Sequence, residues 1–67
     1  MATFKEAEKA RISLKMKLSN YSWYKNSLIS VSNDGYYVKI VVNSLNDAVK
    51  KVIPVIVDSV SIRTELS

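Results

Sequence analysis

The chain has 67 residues and a formal net charge of +4, with no cysteine, no histidine, one glycine and one proline. A chain this short buries only about 60% of the surface its unfolded form exposes, so stability is modest. The missing cysteines exclude disulfides, thiolate metal sites and a cysteine nucleophile, and the missing histidines remove the commonest metal ligand and general base near neutral pH.

Hydrophobic residues make up 48% of the chain, which is the composition of a folded sequence rather than a disordered one. The expectation is one domain spanning residues 1–67. The start, Met1-Ala2-Thr3-Phe4-Lys5-Glu6, has no apolar signal core, and runs such as Ile40–Val42 are far too short to span a bilayer. A cytoplasmic protein is expected, with no membrane, metal or cofactor partner. The charge is unevenly placed. Residues 1–26 carry six basic residues against two acidic ones, and residues 27–67 carry four against four, so the whole excess lies in the first segment. A lysine-rich stretch is most simply a solvated helix face, but it also marks a candidate surface for something acidic.

Thr3-Phe4-Lys5-Glu6 fits a capping box, and good helix formers follow through Ala7, Ala10, Leu14 and Leu18. At 100° per residue Phe4, Ala7, Leu14 and Leu18 share one arc with Ala10 at its edge, and a first helix is predicted over about residues 3–19. Ile12 and Met16 lie opposite that arc. Ile12, Leu14, Met16 and Leu18 also alternate with polar residues, a strand pattern. A helix is preferred because Lys, Met and Leu favour it and the cap upstream is good. In that helix, Ile12 and Met16 form an apolar patch beside Lys5 and Lys9 that one small domain need not cover.

Leu28–Ser32 and Tyr36–Val42 flank Asn33-Asp34-Gly35, a strong hairpin signal, since glycine supplies the positive φ of the turn. The hairpin is predicted over about residues 27–43. Tyr36, Val38, Ile40 and Val42 are expected to face the helices, with Tyr37, Lys39 and Val41 on the other side. Ser44 followed by Asp47 suggests a second, short helix over about 45–52, with Lys50 and Lys51 near its C-terminus and Pro54 ending it. Residues 55–65 read as a last strand with a break near Asp58. The order α-β-β-α-β predicts an α+β fold, a three-stranded, mainly antiparallel sheet with helices on one face.

Two segments, Asn33-Asp34-Gly35-Tyr36-Tyr37-Val38 and Pro54-Val55-Ile56-Val57-Asp58-Ser59-Val60, carry a resemblance. In residues 27–66 the chain resembles small uncharacterised bacterial and phage α+β proteins, in which a hairpin with an Asn/Asp-Gly turn and an aromatic leads to a short Lys-rich helix, then Pro and a turn into a last strand. Ser59 departs from that pattern, standing where glycine is usual. The resemblance implies the fold and no activity.

No catalytic group stands out. Glu6 and Asp47 read as capping residues, Asp34 and Asp58 as turn residues, and Glu8 and Glu65 as solvated ones. No serine lies in a nucleophile elbow, a histidine-based triad is impossible, and a single glycine cannot build a phosphate cradle. An enzyme is not expected. The remaining signals are Ile12 and Met16, the basic residues Lys5, Lys9, Arg11 and Lys15, and the aromatics Tyr21, Trp23 and Tyr24. Trp and Tyr dominate protein-binding hot spots and also stack on bases. For Trp23 the preferred reading is a plug of the small core, while Tyr21 and Tyr24 fit either a core edge or a contact surface. A protein partner, or a second copy of the chain, accounts for the patch, the aromatics and the modest size together. RNA or single-stranded nucleic acid is the alternative partner, weakened by the scarcity of arginine.

Overall fold

A computed structural model describes residues 2–67, and its elements run α1 (Phe4–Leu18), β1 (Tyr24–Ser32), β2 (Gly35–Val42), α2 (Asp47–Val52), β3 (Ile56–Val57) and β4 (Val60–Leu66). The helix preferred for residues 11–18 forms, and the capping box closes it. The Thr3 hydroxyl accepts from the Glu6 N–H at 3.2 Å, while the Thr3 N–H donates to Glu6 Oε1 at 2.9 Å. Those bonds satisfy donors that a helix start otherwise leaves orphaned.

The small α+β domain with helices on one face of a sheet is present, but the sheet is not three-stranded or mainly antiparallel. It is mixed, with four strands in the order β1-β2-β4-β3. β1 and β2 pair antiparallel, as do β3 and β4, but the central pair, Val38–Val42 with Ile62–Leu66, is parallel. The reason is the connection. Residues 43–59 carry α2 across a face of the sheet, and a helical crossover returns the chain in the direction it left.

The expected last strand is a second hairpin. Pro54 offers no N–H, the Val55 carbonyl accepts from the Ile62 N–H at 2.9 Å, and Asp58-Ser59 turn the chain back with φ of 47° and 69°. A two-residue turn with both residues at positive φ matches the twist of the flanking strands. In the first hairpin the positive φ falls on Gly35 (112°), just after the turn residues Asn33 and Asp34. The Ser32 hydroxyl braces that turn, accepting from the Asp34 N–H and donating to the Gly35 carbonyl. β1 begins at Tyr24, earlier than expected, through a bulge between Tyr24 and Asn26. The second helix starts later than expected, because Asn46 rather than Ser44 caps it, its side chain accepting from the Val49 N–H at 3.1 Å.

One cluster holds the fold together. Ala7, Ala10, Leu14 and Leu18 of α1 meet Val38, Ile40 and Val42 of β2, Val60 and Ile62 of β4, and Val49 and Ile53 from the crossover. The β2 alternation read from the sequence is the one observed. Phe4 departs from its predicted place in that core. It is half exposed at the start of α1, its ring meeting Tyr36 edge-on at 5.5 Å.

Candidate functional site

Burying Ala7, Ala10, Leu14 and Leu18 turns the opposite side of α1 to water. Ile12 and Met16, one helical turn apart, are there 45% and 73% exposed. Lys5, Lys9 and Lys15 are exposed around them, and Arg11 is half-buried on the flank. Five of the nine candidate residues therefore form one surface, an apolar ridge flanked mainly by lysines, with the exposed Glu8 one turn before Ile12. Met16 also lies in the last turn, where Lys15 and Lys17 suit the negative end of the helix dipole.

The aromatics are placed differently. Two tight turns follow α1, the Tyr21 N–H donating to the Leu18 carbonyl and the Tyr24 N–H to the Tyr21 carbonyl. Trp23 is half-buried and packs against the core, and Tyr21 stacks on it with ring centroids 4.8 Å apart and planes 24° from parallel. Tyr24 is a strand residue rather than a loop residue. It packs on the core and donates its hydroxyl hydrogen bond to Ser27 Oγ at 3.1 Å. Of the three, only Tyr21 is exposed, and one of its faces is taken by Trp23.

The sequence did not single out the open face of the sheet. Leu28, Ser30, Tyr37, Lys39, Arg63 and Glu65 lie on the side away from the helices, by the register of β1, β2 and β4. The Arg63 guanidinium sits 4.1 Å from the centre of the Tyr37 ring, and Lys39 pairs with Glu65 at 3.5 Å. The facing Ser30 side chain, helped by the charges of Lys39 and Arg63, holds the Tyr37 phenol below its ordinary pKa. The Tyr37, Lys39 and Val41 alternation was visible in the sequence. The meeting of Tyr37 with Arg63 was not, because it depends on the parallel β2–β4 register.

No helix among the described residues is long and apolar enough to cross a membrane. No family model, curated protein or solved structure matches the chain.

Proposed function

We propose that the chain is a non-enzymatic protein-binding module, an adaptor or modulator, that docks a partner on the outer side of α1. The observation that carries this reading is the exposure of Ile12 and Met16 on one ridge, directly opposite the buried stripe of Ala7, Ala10, Leu14 and Leu18. Two neighbouring large apolar side chains left in water on a stable helix suit the groove of a partner, which reads such anchors at i and i+4. The surrounding Lys5, Lys9 and Lys15 specify the partner's chemistry: an apolar groove with an acidic rim. Met is adaptable enough to fill an irregular pocket.

The test compares the wild-type chain with the Ile12→Glu/Met16→Glu double variant in affinity capture from a host extract, at low and at raised salt. Both side chains point away from the core, so the variant keeps its fold. Loss of the captured protein in the variant, with weaker capture of the wild type as salt rises, supports the reading. Equal capture by both proteins refutes it, and so does unfolding of the variant, which would make the two residues part of the core. Recovery of nucleic acid instead would favour the alternative partner, for which the charge of α1 and the exposed Tyr21 speak. Trp23 and Tyr24 speak against it, since both are committed to packing on the core.

A further inference from the structure

The two edges of the sheet are finished in different ways. On one side β3 is two residues long, ends in a tight turn, and leaves Arg63 and Glu65 on the neighbouring β4. Short edge strands and charged residues are the usual protection against edge-to-edge pairing. On the other side β1 runs nine residues, Tyr24–Ser32, and only its start is guarded, by Lys25 and the bulge. The stretch Asn26–Ser32 has no charge, no proline and no glycine, and Leu28 and Val31 are 44% and 63% exposed.

The phase of the ladder identifies the unpaired groups. In β2 the even-numbered residues turn to the β4 side: the Tyr36 N–H donates to the Ala2 carbonyl, and the Val42 carbonyl accepts from the Ser67 N–H. The odd side turns to β1, as the Asn43 N–H donating to the Trp23 carbonyl shows at the end of that ladder. Partners across β1–β2 run Ser30 to Tyr37 and Leu28 to Lys39, so the odd-numbered residues Ser27, Ile29 and Val31 present their backbone groups to the free edge. Among them the Ser27 N–H is capped by its neighbour's Asn26 Oδ1 at 2.9 Å.

We infer that β1 pairs antiparallel with β1 of a second copy, with Ile29 at the two-fold axis, giving one continuous sheet through both subunits. An open ladder calls for a strand, and a two-fold antiparallel pairing is the arrangement in which an edge complements itself. In this register Ile29 meets Ile29 of the other copy and Ser27 meets Val31, each pair exchanging both its N–H···O bonds. The Ser27 N–H leaves Asn26 to do so. Like charges never meet, because Lys25 falls opposite Asn33. The axis stands perpendicular to the sheet, so both α1 helices lie on the same face. Each carries five basic residues against two acidic ones, a net +3, and α1 packs on β1 as well as on β2 and β4. The pairing should therefore tighten as salt screens helix from helix, opposite to the docking of an acidic partner.

The test measures the mass of the full-length chain in solution from micromolar to millimolar concentration, together with amide hydrogen exchange. Dimer formation that rises with concentration and salt is expected, with exchange at Ile29 and Val31 slowing at least tenfold between the dilute and the concentrated sample. Val31→Pro is the blocking variant: its N–H faces solvent in the monomer, so proline is tolerated there but cannot donate across the axis. It should be folded and monomeric, while Ile12→Glu/Met16→Glu should still dimerise. A monomer at every concentration overturns the inference. So does a dimer that leaves the Ile29 and Val31 amides unprotected or that survives Val31→Pro. If Val31→Pro does not fold, the exchange data on the wild type decide. Loss of dimer in the α1 double variant would place self-association on α1 and overturn the edge pairing.

Discussion

Ser59 is the position where the local conformation and the residue disagree most. Its φ of 69° and the 47° of Asp58 put two non-glycine residues in the left-handed region within one two-residue turn. That region costs an L-residue with a Cβ about 1–2 kcal/mol, and Asp is among the few that tolerate it. Ser59 is exposed and its hydroxyl makes no hydrogen bond among the described residues, so Ser59→Gly removes the strain without losing a contact. Taking ~1 kcal/mol of relief and subtracting ~0.5 kcal/mol for the extra freedom glycine gives the unfolded chain leaves a net gain of about 0.5 kcal/mol. Ser59→Val should move the other way by about 1 kcal/mol, since a β-branched side chain fits positive φ badly. For a domain of this size total stability is roughly 3–10 kcal/mol, so both changes are readable. Urea unfolding followed by circular dichroism, with an m-value of about 1 kcal/mol per molar, turns the Gly gain into a midpoint shift of about 0.5 M. An unchanged slope is required for that conversion. A Gly variant less stable than wild type, or a neutral Val variant, would show that residues 58 and 59 do not occupy the left-handed turn, and the β3–β4 hairpin would have to be redrawn.

The other expectations concern caps, core and titration. Asn46→Ala should cost about 1 kcal/mol in urea unfolding, because its side chain is the cap of the short α2. Leu18→Ala removes a fully buried side chain and should cost about 2–5 kcal/mol, enough to leave part of the population unfolded in the absence of denaturant. The Glu6 carboxylate, hydrogen-bonded by the Thr3 N–H and hydroxyl, has its pKa lowered from 4.5. A lowered folded pKa makes its contribution complete above the unfolded value and lost as pH falls through the folded one. Stability should decline on acidification below about 4.5. Glu6→Gln should flatten that part of the profile, measured by thermal unfolding against pH. Ultraviolet difference titration against Tyr37→Phe should find Tyr37 ionising below the ordinary tyrosine value, and Ser30→Ala should bring it back up, because the facing Ser30 side chain does most to lower it.

What could be read in the sequence was whatever local chemistry decides. The capping box at Thr3 and Glu6, the core stripe of α1, the hairpin at Gly35 and the β2 alternation all rest on neighbours within four residues, and all appear in the fold. The exposure of Ile12 and Met16 follows from the same helical period. The failures needed tertiary information. Phe4 belongs to the core arc by angle, yet it sits in the first turn of α1 and meets only the half-open end of the sheet, where Tyr36 lies at the start of β2 and both rings stay partly in water. The parallel β2–β4 pair was implicit in a helix between two strands, but antiparallel neighbours are the commoner default and hid it. The separation of β3 from β4 depends on a serine accepting a glycine's conformation. Tyr21, Trp23 and Tyr24 were one cluster in sequence and are divided in space, because β1 begins at Tyr24 and takes the last of them into the sheet.

The two proposed surfaces are distinct, and their geometry couples them. Pairing through β1 would set two α1 ridges side by side on one face, each presenting Ile12 and Met16. A partner with two apolar, acid-rimmed grooves, or a paired partner, would then bind with an effective concentration set by the sheet rather than by diffusion. The same partner would bring negative charge between two helices that repel each other, and so would favour the dimer it binds. Thermodynamic reciprocity makes these one effect: whatever factor dimerisation adds to partner affinity, partner binding adds to dimer affinity. Screening weakens the attraction between partner and helix and also the repulsion between the helices, so salt acts on the two equilibria in opposite directions. A chain that is monomeric at low salt without its partner and dimeric in its presence therefore follows from charge placement alone, with no change of conformation in either subunit.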